Sequence, residues 1–525
     1  MKKLFFALAS IALVLSCSIM PSAKAKWLII GYFDGNNDLD TGELGASWVC
    51  DELQQLEKVG STDDVEVIAL YSSLKTGGVA KVYHIEKYET ELPDKISSTV
   101  LEDWGTKDMS DPKTLSDFIK YAKDKYPAEN YMLILMDHGG GWQGVCWDEK
   151  NGGGNPLTMS DLKQALTDGG IHFNVIFMAA CLMGQAEVAY ELRSYGDYMC
   201  ASQNVMWAKN TVKSEWLQAL VDDPKMTSLE VSKKIVDAVY NSGVANKKSV
   251  VMSVIDLSKM DTLAYNISEL AVNLATQSSE HAAEIFDAKK KTEPDPSVPA
   301  FVDLRNFANN ILSEPNLSKI ELIKTAANGV IASLNSAIVY TKSNTTHPRG
   351  GLSIHFPENE KEYQKSEYTK LKFPTDTKWS NFLDAYIAAG GGGGGGSSVQ
   401  VQGQLIYPNG VDPVHPYAGV ILSENDTYDK NDVHLPAALS NLSFTLTVSD
   451  IDPKYKYIGF FGWDDVNSDQ SMNTNDYWGI YGDDQNTTDV MEYVFYPLDK
   501  DTYTNINIYI VWLLTAQEKV NISKE

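Results

Sequence analysis

The sequence predicts an α/β protein with a mostly parallel sheet, followed by a separate all-β sandwich domain. Three observations carry that prediction. From residue 27 to residue 389, apolar runs of strand length alternate with segments of helical periodicity, the pattern of a parallel sheet with helices on both faces. Gly390 to Gly396 are consecutive glycines followed by Ser397 and Ser398, a composition that holds neither helix nor core. Beyond that linker, at 390–398, short strand-like runs separated by turn residues replace the alternation, so 399–525 reads as a small β-sandwich. A chain of 525 residues is too long for one hydrophobic core, which agrees with the split.

Residues 27–33 form an apolar run ending in Asp34-Gly35-Asn36-Asn37-Asp38, a buried strand and turn. Residues 43–58 suit a helix, 65–71 a second buried strand, and 80–88 hairpin material. Residues 113–125 have helical spacing, and 131–136 form a third strand ending at Asp137-His138-Gly139-Gly140-Gly141. A helix is expected over 158–168, with Thr158 as its cap, then a strand over 173–178 ending at Ala179-Ala180-Cys181. A helix from 184 to 195 and short strands at 198–202 and 250–255 follow; 351–356 is the expected last strand and 376–389 the closing helix. In the C-terminal part, 399–406, 443–448, 457–463, 491–496 and 505–513 read as strands.

Composition excludes several classes. Apolar residues at 43% and charged residues at 22% are those of a globular chain, not a disordered one. The net charge of −26 argues against a nucleic-acid partner. Half of that charge sits in the last quarter, where 398–525 carries 19 acids and 6 bases. Five cysteines are too few for a disulfide scaffold.

The N-terminus has the form of an export signal. Lys2 and Lys3 precede a short apolar stretch from Leu4 to Leu15, too short to favour a membrane anchor. Ala23-Lys24-Ala25 is a small-x-small cleavage site, giving a signal peptide over 1–25 and a first domain over 26–389. Val14-Leu15-Ser16-Cys17 resembles a bacterial lipobox, which would instead put a lipid on Cys17. Either route exports the protein from a bacterium, as a secreted, periplasmic or cell-surface lipoprotein. Membrane contact is expected only through a lipid at Cys17. Export after Ala25 leaves Cys50, Cys146, Cys181 and Cys200, an even number that permits disulfides without requiring them.

His138 and Cys181 both fall at carboxyl ends of predicted strands, where ligands of such sheets bind. A thiolate nucleophile needs a base within hydrogen-bond reach, and a neighbouring strand end can supply it. Three glycines after His138 would let a substrate approach the backbone. The N–H groups of Gly139 and Cys181 would then form an oxyanion hole, and a helix just after Cys181 would lower its thiol pKa.

Leu135-Met136-Asp137-His138-Gly139-Gly140-Gly141-Trp142 and Ala180-Cys181-Leu182-Met183-Gly184, followed by Glu187-Val188-Ala189, resemble the clostripain family of cysteine peptidases. The resemblance covers roughly 27–389, including Tyr32 to Asp38 and Gly350-Gly351-Leu352-Ser353-Ile354. It implies a caspase-like α/β/α sandwich, a protein or peptide substrate, Cys181 as nucleophile, His138 as general base, Gly139 and Cys181 as oxyanion donors, and no cofactor for catalysis. It also implies an S1 pocket at Ala179, Gln203 and Asn204, and here the chain departs from the family. Asp is usual two residues before the nucleophile, where this chain has Ala179. Acidic residues often follow the Ala-Ser pair, where it has Gln203-Asn204. Clostripain-type enzymes cleave after Arg or Lys, so a basic P1 preference is in doubt. The alternative is a non-catalytic relative acting as a cell-surface binding protein. Members of the family often mature by a cut between the two motifs, and Lys150-Asn151, in an Asn-, Gly- and Pro-rich stretch, is the candidate bond of a zymogen.

Asp465, Asn467, Asp469, Ser471, Asn473 and Asp476 stand at positions 1, 3, 5, 7, 9 and 12 of a twelve-residue loop, the spacing of an EF-hand-type calcium loop. Gln470 replaces the usual Gly, and a solvated acidic turn fits as well. Calcium there would be structural. Asp34-x-Asn36-x-Asp38-x-Asp40 opens in the same way, but it coincides with a loop that the family resemblance places at the active-site rim. His172, His347 and His355 read as structural histidines.

Overall fold

The computed structural model describes residues 24–40, 47–90, 92–207, 209, 211–292, 297–345 and 349–390, then the segments 399–406, 416–423, 433–439, 442–448, 457–464, 477–480, 496–497, 502–509 and 512–513. Residues 1–23 of the export signal with Cys17, His347, the linker residues 391–398 and the acidic loop at 465–476 lie outside them. The chain forms two compact units. The first is made of 1–183, 192–202 and 206–257, the second of 184–191, 203–205 and 258–525.

In the first unit eight strands form one sheet: β1 (Ala25–Gly35), β2 (Val65–Ser73), β3 (Val79–His84), β4 (Thr99–Thr106), β5 (Ala128–Met136), β8 (Phe173–Ala179), β9 (Gly196–Ser202) and β10 (Val251–Asp256), with the small hairpin β6 (Val145–Asp148) and β7 (Asn155–Leu157) apart from it. Their order is β10-β9-β8-β5-β1-β2-β3-β4. The centre, from β9 to β2, is parallel, while β10 and the β3–β4 edge run antiparallel. β1 is central and reads as a continuous apolar run because both faces are covered: Trp27 to Ile30, Tyr32 and Phe33 are fully buried.

Local signals set the helices. α1 (Trp48–Glu57) is shorter than the expected 43–58. α2 (Pro112–Lys125) starts with Asp111 accepting from the Lys113 N–H and with proline in its first turn. α3 (Met159–Gly169) begins at Thr158 with a reciprocal capping box to Asp161, as the sequence predicts. α5 (Glu215–Asp222) and α6 (Ser228–Ala245) complete this unit.

The second unit contains α4 (Ala186–Leu192, its last residue in the first unit), α7 (Met260–Lys290), α8 (Leu304–Ser313), α9 (Glu321–Ala337) and the closing helix Trp379–Ala388. The expected helix over 184–195 is trimmed at its start. Gln185 makes a parallel bridge to Ser353, and the Ser353 N–H donates to the Gly184 carbonyl at 3.0 Å, so this backbone is extended. The expected last strand over 351–356 shrinks to Ser353–His355, which pairs antiparallel with Phe301–Asp303 in a two-stranded sheet of its own. A strand over Ile338–Ser343, not expected from sequence, follows α9.

Among the described C-terminal residues, strands form two sheets. One orders Ser443–Val448, Val399–Ile406 and Thr502–Tyr509; the other orders Val433–Ala438, Pro416–Ser423, Tyr457–Asp464, Tyr477–Ile480 and Trp512–Leu513, with Tyr496–Pro497 beside the third. This is the expected all-β region, with Pro416–Ser423, Val433–Ala438 and Tyr477–Ile480 unforeseen; of the expected strand over 491–496, residues 491–495 lie outside the described residues. No helix among the described residues is long and apolar enough to cross a membrane.

Candidate active site

β5 and β8 are adjacent parallel strands, and Met136 pairs with Ala179 at the end of their register. His138 and Cys181 each lie two residues beyond that last pair. They therefore leave the sheet side by side, at the carboxyl edge, from strands about 4.8 Å apart. The backbones stay close beyond the sheet. A Cβ on Gly139 would collide with the Cys181 carbonyl oxygen and lie 3.0 Å from the Cys181 nitrogen. Only glycine permits that approach, which is the physical content of the glycine after His138. Leu182 takes a left-handed φ of 64°, turning the chain sharply after Cys181. A leucine held there is backbone strain of the kind concentrated at functional sites.

Cys181 is half-buried, and its Sγ accepts from the Met206 N–H at 3.3 Å. The segment carrying Met206 is anchored: Thr211 Oγ1 donates to the Trp207 carbonyl at 3.0 Å, and the Val212 N–H donates to the buried Glu52. The Cys181 thiol in turn donates to the Met206 carbonyl oxygen at 3.6 Å. The helix-dipole expectation fails, because α4 starts five residues after Cys181 and a dipole acts only near the first turn.

The His138 Nε2 lies 2.6 Å from Asp38 Oδ1, a residue the sequence reading placed in a cation-binding pattern. The loop after β1 is laced to the loop after β5. Asn37 Nδ2 donates to Asp137 Oδ1 at 2.6 Å and to the Trp147 carbonyl at 2.9 Å. Asn36 Nδ2 donates to Asp148 Oδ2 at 2.7 Å, and the Glu149 N–H to the Asn36 carbonyl at 3.0 Å. Burial holds Asp34 and Asp137 well above the usual carboxylate range, each with a neighbouring aspartate adding to the shift. Asp40 accepts from Tyr71 and the Val49 N–H, and burial pushes it up to about 6. In this loop Asn36 Oδ1 accepts from Ser72, Asp38 Oδ1 meets His138, and Asp40 accepts from Tyr71 and Val49, while the buried Asp34 Oδ2 has no hydrogen-bond partner among the described residues. No group of three or more His, Cys, Asp or Glu among the described residues is arranged to hold a metal.

The S1 candidates fall in both units. In the first, Ala179 is buried at the end of β8. In the second, Gln203 Nε2 donates to Asp303 Oδ2 at 2.9 Å, and Arg349 Nη1 donates to Asn204 Oδ1 at 2.7 Å. Asp303 is fully buried and also accepts from the N–H groups of Asn306 and Gly350. Burial raises its pKa. Neither Asp303 nor the buried Arg349 was anticipated, since 100 and 145 residues separate them from their partners and no local pattern marks them.

Lys150 is exposed, but the turn is pinned: the Lys150 and Asn151 N–H groups donate to Asp148 Oδ1 at 2.9 and 2.6 Å. The four described cysteines are free thiols. Of the other histidines, His172 is exposed and paired with Asp197, while His355 is buried and pushed down to about 3 by desolvation.

The profile of the clostripain family, Peptidase C11, matches residues 43–386. The chain belongs to the clostripain family. Clostripain of Hathewaya histolytica is 28% identical over an alignment of 334 positions that covers 53% of this chain and 62% of that protein; the chain thus spans less than two thirds of its relative. Two crystal structures are similar in fold. A secreted C11 cysteine protease from Bacteroides thetaiotaomicron, in complex with an irreversible peptide inhibitor, has a TM-score of 0.52 at 17% identity and covers 68% of this chain and 99% of that one. An inactive zymogen C11 protease from Parabacteroides distasonis has a TM-score of 0.50 at 20% identity, with the same coverage. The clostripain-family fold here is therefore the caspase-like one. Its mostly parallel sheet carries both motifs at one edge.

Proposed function

We propose that this chain is an exported cysteine endopeptidase in which Cys181 is the nucleophile and His138 the general base. The observation that carries the reading is the Met136–Ala179 register, which sends His138 and Cys181 off adjacent strand ends at one level. His138 takes the thiol proton, and the thiolate attacks the scissile carbonyl carbon. The N–H groups of Gly139 and Cys181 receive the oxyanion. His138 then protonates the leaving amine, and a water it deprotonates hydrolyses the thioester. Cys181→Ala and His138→Ala are each expected to abolish peptide hydrolysis with the fold intact. Activity within tenfold of wild type in either variant would overturn the assignment.

The proposal includes a P1 preference other than Arg or Lys. The family resemblance puts Ala179, Gln203 and Asn204 at the P1 pocket, and none carries a charge. The carboxylate beside Gln203, Asp303, is engaged by three donors, and Asn204 is bound to a cation, Arg349, and not to an acid. Without an unengaged acid, a buried basic P1 loses on the order of a few kcal/mol. A strict preference for Arg or Lys in a substrate library would refute this.

Lys150-Asn151 stays the candidate bond of a zymogen, in a turn that Asp148 pins and that must open before it is cut. With no acid to hold Lys150 at P1, self-cleavage there is not expected. N-terminal sequencing that finds a cut in wild type and none in Cys181→Ala would refute the non-basic P1 preference; a cut in both proteins would mean that another protease makes it. The rival, a non-catalytic binding protein, is favoured by Ala179 alone.

A further inference from the structure

We infer that Asp38 is a positioning residue for His138, fixing the tautomer and direction of the imidazole; the inference rests on the peptidase reading above. Asp38 Oδ1 lies 2.6 Å from His138 Nε2. An ionised carboxylate only accepts, so Nε2 carries the hydrogen and Nδ1 is left with the lone pair. Nδ1 is thus the atom that receives the thiol proton. When it does, the ring becomes a cation already in contact with the Asp38 carboxylate.

Asp38 is delivered by a rigid support. Directly before it, Asn36 and Asn37 are bound to Asp148, Asp137 and the Trp147 carbonyl, on the loop that continues from His138. Directly after it, the Leu39 N–H donates to Asn37 Oδ1 at 3.1 Å, and Asp40 accepts from Tyr71 and the Val49 N–H. The loops bearing Asp38 and His138 are therefore tied together by bonds that do not involve either side chain. Asp38 itself is 70% exposed and His138 38% exposed, so the carboxylate is not part of the core. Its removal leaves the lacing, and with it the fold, in place.

The test uses Asp38→Ala and Asp38→Asn in the full chain, read by peptide-substrate kinetics and by the nitrogen chemical shifts of the His138 ring. Asp38→Ala is expected to lower kcat about 30-fold with KM within twofold, part of the roughly 10²–10⁴ that general acid–base catalysis contributes. Its ring is expected to lose the single Nε2–H tautomer of wild type. Asp38→Asn, which still offers an acceptor oxygen, keeps that tautomer and recovers part of the rate. An unchanged tautomer in Asp38→Ala overturns the inference whatever the rates. Absence of hydrolysis by wild type overturns the peptidase reading instead, and the tautomer comparison still decides the role of Asp38.

Discussion

Gly139→Ala tests whether the contact between the two motif loops matters. The added Cβ meets the Cys181 carbonyl oxygen, and it lies 3.0 Å from both the Cys181 nitrogen and the Ala180 Cβ. Two of these atoms are backbone and cannot rotate away. Comfortable contact needs roughly 3.5 Å, so the loops must part by about 1 Å. Overpacking of this kind costs about 1–3 kcal/mol. A displacement of about 1 Å at reacting groups costs about 10²-fold in rate. The expected result is a kcat/KM down about a hundredfold with a modest fall in the denaturation midpoint. Because both Cys181 and His138 remain, slow alkylation of Cys181 should persist. Activity within twofold of wild type would refute the close approach of these loops.

Further outcomes follow from the same geometry. Burial raises Glu187 to about 7 from 4.5, so the stability it contributes is full below pH 4.5 and is lost as pH rises through about 7. The difference corresponds to about 3 kcal/mol, so Glu187→Gln should flatten the fall in unfolding free energy between pH 5 and pH 8; an unchanged slope would contradict it. His355, pushed down to about 3 by burial, acts in the opposite sense: its stability is full above pH 6.5 and is lost as pH falls toward 3. Burial pushes the thiols of Cys50 and Cys200 up to about 12 and that of Cys146 well above its ordinary value. Iodoacetamide at pH 7 should therefore modify Cys181 before these three, and mass mapping that finds one of them first would contradict this.

Much of this site was legible because its placement is a property of the strands. Apolar runs ending at His138 and Cys181 fix which residues stand at the carboxyl edge, and Thr158 announces α3 by local chemistry. The helix after Cys181 was misplaced because Gly184 and Gln185 pair with Ser353, a contact 168 residues away in the chain for Gln185. The alternation of Asp34, Asn36, Asp38 and Asp40 opens like a cation loop, and three of these side chains meet partners distant in the chain: Asn36 meets Asp148, Asp38 meets His138 and Asp40 meets Tyr71. Such spacing does not record which partner a side chain meets. The pairing of Asp38 with His138 is not legible for the same reason: the partner comes from a different strand end.

The most direct test of the central claim is the adduct formed with an irreversible peptidyl inhibitor carrying a neutral P1 residue. Intact-mass and peptide mapping should find one equivalent, on Cys181, and none in Cys181→Ala. The His138→Ala protein should label far more slowly. No adduct in folded wild type, or an adduct retained in Cys181→Ala, would contradict the assignment of Cys181 as the nucleophile.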